Sequence, residues 1–141
     1  MFYIDTSVIV AYYCPEPLSE KAEAFLMTHM RPAISTLTEV EMFSALSRKV
    51  REGGLSRRDA GTITARFISH VDGHFYAYLF IERHHYWLAR DLIGLFHTNL
   101  KTLDALRLAI AQAEGLTFVT ADQRIAESAK VFEMNVVMLK K

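Results

Sequence analysis

A single cysteine, Cys14, serves the whole chain of 141 residues. One thiol makes neither an intrachain disulfide nor a cysteine-built zinc site, so a reducing cytoplasm is the expected home. Set in AYYCPEP beside aromatics, Cys14 reads as a small buried hydrophobe rather than a nucleophile. Net charge is lacking too: 16 Lys and Arg are balanced by 16 Asp and Glu. No global positive field can gather nucleic acid, so such a partner must be held by local patches and specific chemistry. No apolar run approaches the roughly 20 residues of a membrane span, and no basic segment precedes a hydrophobic stretch at the N-terminus. Neither export nor insertion is indicated, and no membrane partner is expected.

What is present is a composition 51% apolar, in a chain of the length of one ordinary domain. Such a chain buries roughly 70% of its unfolded surface, and one compact domain over residues 1–141 is expected. Its punctuation is regular. FYI reads as a short strand, followed by the helix-starting residues Thr6 and Ser7. Leu18, Ala22, Phe25, Leu26 and His29 recur at helical steps between Glu16 and Met30, with Pro32 beyond. Ala33 and Ile34 form a brief strand. Ser35 or Thr36 then caps a helix with Leu37, Val40, Phe43, Leu46 and Val50, stopped at Gly53-Gly54.

Ser56, with Asp59 three residues on, opens a helix that ends at Gly73. HFYAYLFI, His74 to Ile81, reads as a central strand, and Glu82 to Leu95 as a helix. A helix from Leu103 to Ala113, the strand LTFV, a helix from about Asp122 to Val131 and a strand from Asn135 to Leu139 complete the chain. Helices alternate with about five short strands that are apolar on both faces. This predicts an α/β fold in three layers, helices covering both sides of a mainly parallel sheet. Sites in such folds lie beyond the carboxyl ends of the strands.

Four acids stand at such places. Asp5 follows FYI, Asp122 follows LTFV, Asp104 opens a helix in KTLDALRLA, and Glu41 lies early in the helix of STLTEVEMFSAL. Each singly has a plain reading as a helix cap, a macrodipole partner or a solvated helix residue. Against that reading, Glu41 keeps the company of Val40, Met42 and Phe43, and Asp104 that of Leu103, Leu106 and Leu108. Two unit charges about 4 Å apart repel by roughly 4 kcal/mol at an effective dielectric near 20. A divalent cation reverses that sign. All-oxygen ligands suit Mg²⁺ or Mn²⁺, which can activate a water for in-line attack on phosphorus.

YIDTSVIV, STLTEVEMFSALSR, LDALRLAIA and FVTADQRI together resemble, in order and spacing, the four acidic motifs of PIN-domain ribonucleases. They span nearly the whole chain, and a bare domain of this length is most similar to the VapC toxins of toxin–antitoxin pairs. The resemblance implies a PIN-like α/β/α sandwich and a Mg²⁺- or Mn²⁺-dependent endoribonuclease whose metal-binding, catalytic acids are Asp5, Glu41, Asp104 and Asp122. It implies support from Ser7 and Thr120, with Thr6-Ser7 both starting the helix and steadying Asp5. It further implies an RNA substrate, an antitoxin partner whose tail obstructs the site, and a homodimer. Glu41 rather than Glu39 aligns with the motif, because Ser44-Ala45-Leu46 follows it at the right distance. Arg107, where many relatives carry His, either touches a phosphate or pairs with a carboxylate.

Other features are read as structural. His84 and His85 point about 100° apart on a helix and read as surface or interface histidines, and Gly73 separates His70 from His74. Arg48, Lys49, Arg51, Arg57 and Arg58 read as a solvated helix face more readily than as an RNA path. Tyr12, Tyr13, Phe25, Tyr86, Trp87 and Phe96 exceed what so small a core needs. The alternatives to a toxin are a housekeeping RNA-processing nuclease and a non-catalytic PIN-fold binding module. A phospho-acceptor switch is a further reading, against which HFYAYLFI runs into Glu82-Arg83 where that chemistry needs an Asp.

Overall fold

Alternating side chains of three-residue strands decide the layering. In the computed structural model, which describes residues 1–141, Tyr3 of β1 (Phe2–Ile4) packs to one side of the sheet and Ile4 to the other. This is the period-two alternation of a strand. The chain continues as α1 (Thr6–Tyr13), α2 (Ser19–Thr28), β2 (Ala33–Ser35), α3 (Thr36–Arg51) and α4 (Arg57–Asp72). Then come β3 (Ala77–Leu79), α5 (Arg83–Gly94), α6 (Thr102–Ala113), β4 (Thr117–Thr120), α7 (Gln123–Val131) and β5 (Val136–Met138). Helices α1–α4 bury Val8, Ile9, Leu26, Met42, Leu46 and Phe67 against one face of the sheet. Helices α5–α7 bury Leu92, Leu106, Ile110 and Ile125 against the other. The fold is α/β, in three layers.

All strand pairs are parallel, in the order β3-β2-β1-β4-β5. The chain builds one half outward from β1, then crosses to β4 on the opposite side of β1. The switch in direction therefore falls between β1 and β4, where a crevice opens beyond the carboxyl ends of the strands. Register fixes the crevice: Tyr3 pairs with Phe118 and Ile4 with Val119, and the Asp5 N–H donates to the Val119 carbonyl at 2.8 Å. Asp5 and Thr120 thus leave the sheet side by side.

Local signals set most boundaries. Ser56 caps α4 by accepting the Asp59 N–H at 3.0 Å, and Gly73 closes it. Gly115 reverses the chain from α6 into β4 with a φ of +66°, a conformation costly for other residues. The expected strand over His74–Ile81 is shorter and differently placed. Only Ala77–Leu79 pair, and β3 is an edge strand rather than a central one. His74 turns out of α4 with a φ of 62°, and Phe80 is 70% exposed. A three-residue β2 offers no longer partner, and Phe75 and Tyr76 go instead to the core beside α4.

Candidate functional site

Asp5 stands at the N-cap position of α1, yet its carboxylate caps nothing. Its Oδ2 accepts from the Ser7 hydroxyl at 2.9 Å and from the Thr120 hydroxyl at 2.6 Å. Those hydroxyls are themselves fixed, Ser7 by accepting the Ala121 N–H and Thr120 by accepting the Asp122 N–H. A carboxylate buried to 6% exposure is thereby held with its Oδ1 turned away from its supports. Asp122 behaves differently: its Oδ1 accepts the Arg124 N–H at 2.9 Å and caps α7, as the plain reading of its position predicts. Its second oxygen makes no such bond.

Asp104 enters from the first turn of α6 and Glu41 from α3. Arg107, one turn along α6, ties them together. Its Nη1 donates to Asp104 Oδ1 at 2.6 Å, its Nε to Glu41 Oε1 at 3.2 Å, and its Nη2 to Glu41 Oε2. The Nε also stands 3.5 Å from Asp5 Oδ1. Thr6 donates to Glu41 Oε1 at 2.8 Å, so its hydroxyl serves Glu41, where the sequence suggested that it steadies Asp5. Glu39 points elsewhere, toward Tyr78. The Asp104 carboxyl is held above the usual range, chiefly by burial and next by the negative charge of Asp122, with Asp5 adding to it. Arg124 and Lys101 oppose the shift. Four acids from four parts of the chain therefore face the crevice at the switch point, with three of them around one guanidinium.

The apolar company expected around Glu41 and Asp104 is only partly core: Met42, Leu106 and Leu108 are buried, whereas Val40 is 68% exposed, Phe43 45% and Leu103 48%.

A PIN-domain family model matches residues 2–131. The chain belongs to the PIN-domain family. It is 33% identical over 138 residues to Ribonuclease VapC46 of Mycobacterium tuberculosis, a match that covers 96% of this chain and 95% of that protein. Among solved structures, FitAcB of Neisseria gonorrhoeae superposes with a TM-score of 0.74 at 20% identity, covering 96% of both chains. A toxin–antitoxin complex from Klebsiella pneumoniae gives 0.68 at 18% identity, covering 100% of this chain and 99% of that one. At such identities these structures establish the shared PIN fold.

The donor set of this PIN domain suits a hard divalent cation: every candidate ligand is a carboxylate oxygen, and Asp104 Oδ2, Asp122 Oδ2 and Asp5 Oδ1 are left without hydrogen bonds. The spacing is another matter. The one group of three His, Cys, Asp or Glu ligand atoms within 4.8 Å of one another is His84, His85 and Glu114, away from the four acids. His85 is fully buried, contrary to the surface position expected for it, because its Nδ1 accepts the Glu82 N–H at 2.9 Å and closes the start of α5. That bond leaves the proton of a neutral ring on Nε2, which faces Glu114 Oε1 at 3.5 Å. A protonated Nε2 is no metal ligand. No helix is long and apolar enough to cross a membrane.

Proposed function

We propose that this PIN domain is the toxin of a toxin–antitoxin pair, an endoribonuclease that uses Mg²⁺ or Mn²⁺ to hydrolyse phosphodiester bonds of RNA, with residues 1–141 forming one nuclease unit. The observation that carries the reading is the convergence of Asp5, Glu41, Asp104 and Asp122 on one crevice between β1 and β4. Family membership supports it, as does likeness over nearly the full chain to a protein named as a ribonuclease. The antitoxin partner is supported by the toxin–antitoxin complex that shares the fold. A second copy of the chain completes the proposed assembly.

The residues divide the work by how they are held. Asp5, Asp104 and Asp122 keep free oxygens toward the crevice and are the groups to hold the cation. Bound there, such a cation lowers the pKa of a water and offsets charge on the leaving oxygen. Ser7 and Thr120 fix one oxygen of Asp5 so that the other keeps a single direction. Thr6 orients Glu41. Asp5 is buried while Glu41, Asp104 and Asp122 are partly exposed, which leaves the crevice open on one side for a phosphodiester to approach a bound cation.

Purified protein is expected to cleave RNA with Mn²⁺ or Mg²⁺ and to stop when EDTA is added. Undiminished cleavage in EDTA would sink the metal-dependent reading. Growth arrest on expression without an antitoxin, relieved by coexpressing one, is the outcome expected of a toxin.

A further inference from the structure

The crevice already contains a cation of its own. Arg107 offers all three guanidinium nitrogens to acids of three separate elements: Nη1 to Asp104, Nη2 and Nε to Glu41, and Nε toward Asp5. Its side chain is 17% exposed, so the group is embedded rather than laid across the surface. The acids stand around it, and no three of them, each offering one oxygen, form a close group of the kind that His84, His85 and Glu114 make within 4.8 Å. A divalent cation of the Mg²⁺ class takes oxygens at about 2.1 Å and draws them closer together than that. Guanidinium and metal ion therefore require different spacings of the same carboxylates.

We propose that Arg107 is a resident counter-cation that competes with the divalent metal, releasing Asp104 and Asp5 when the metal binds and remaining forked on Glu41. The division follows from the bonds. Glu41 has both oxygens taken, by Arg107 twice and by Thr6 once, so it is the anchor of the guanidinium. Asp104 gives Arg107 one oxygen, and Asp5 stands only at 3.5 Å from it, so these two are the contacts most readily exchanged. Without metal, Arg107 offsets the mutual repulsion of Asp104, Glu41 and Asp5 by standing among their oxygens. With metal, the same charge stands as a competitor, and metal affinity is set below what the acids alone would give. This proposal rests on the metal-dependent reading of the site.

Calorimetric titration of Mn²⁺ into the wild type, Arg107→Gln, Arg107→Lys and Arg124→Gln tests it, with melting temperatures measured in EDTA. An opposite charge within about 4–6 Å shifts proton binding by one to three decades, so Arg107→Gln is expected to bind Mn²⁺ about tenfold tighter or more than the wild type. The same variant melts lower than the wild type in EDTA, and Mn²⁺ narrows that gap. Arg107→Lys keeps the charge and loses the fork, and is expected to fall between the two. Arg124→Gln removes a nearby cation whose side chain bonds to none of the acids, and its effect is expected to be clearly smaller. Equal Mn²⁺ affinities of folded wild type and Arg107→Gln overturn the proposal, as does an Arg124→Gln effect as large as that of Arg107→Gln. If Arg107→Gln does not fold in EDTA, Arg107→Lys decides: tighter binding than the wild type supports the competition, and equal or weaker binding overturns it. Absence of Mn²⁺ binding by every variant overturns the metal-dependent reading itself, and this proposal with it.

Discussion

Two polar networks are built into this fold, and they differ in whether they are finished. On the α1–α4 side, the Tyr13 hydroxyl stands 2.8 Å from the Tyr76 hydroxyl and 2.6 Å from His70 Nδ1. With Tyr76 donating to Tyr13 and Tyr13 donating to His70, each group has its partner. The set is neutral, and burial pushes the Tyr13 hydroxyl up to about 12 and Tyr76 higher still. His70 is pushed down, first by burial and then by Arg66. At the crevice between β1 and β4, three of the four carboxylates surround one guanidinium, and oxygens remain over. A closed network holds elements together; an open one keeps binding capacity for something outside the chain.

The sharpest break between the two networks is expected at Asp5. Asp5→Asn keeps the size and loses the charge, so RNA cleavage falls to the level seen in EDTA while circular dichroism is unchanged. Loss of structure would put Asp5 on the structural side of the comparison. Tyr13→Phe strands both Tyr76 and His70, and is expected to cost about 2–3 kcal/mol in urea unfolding, against about 1 kcal/mol for Tyr76→Phe. Cleavage by either folded variant is unchanged; equal costs would show that Tyr13 is not the hub. Thr120→Val removes one support of Asp5 and is expected to weaken Mn²⁺ binding by about 10–100-fold, with Thr120→Ser restoring it. A mild pH effect separates the networks further. Because the folded pKa of His70 is lowered, its contribution is present above about 6.5 and is lost as pH falls below that value. Melting temperature is expected to decline from pH 7 toward 5, and His70→Gln to flatten that decline. The tyrosines act at the other end: their raised pKa values make stability complete below pH 10 and lost as pH rises through about 12.

The two networks were not equally legible in the sequence. Asp5, Asp104 and Asp122 announce themselves by position, each at a strand end or helix start, and parallel strands bring such positions to one edge. Arg107 shows in the sequence only its spacing from Asp104; its reach to Glu41 crosses 66 residues and depends on how α3 and α6 approach the sheet. The Tyr13–His70–Tyr76 network left no signal, since its partners are 57 and 63 residues apart and belong to ordinary amphipathic patterns. Likewise the adjacency of His84 and His85 was visible, but the Nδ1 contact that buries His85 was not. Boundaries marked by Ser56, Gly73 and Gly115 were readable because caps and reversals are local chemistry. HFYAYLFI misled because aromatic content describes a strand's preference, whereas its length is set by the three residues of β2 beside it.

The grip of Thr120 on Asp5 spans 115 residues of chain. During synthesis at roughly 5–20 residues per second, Asp5 emerges first and waits on the order of ten seconds for the strand that holds it. Through that interval Glu41 and Asp104 are made as well, but Asp5 has neither Thr120 nor Asp122 beside it. The proposed site is thus completed in one late event, when β4 docks beside β1.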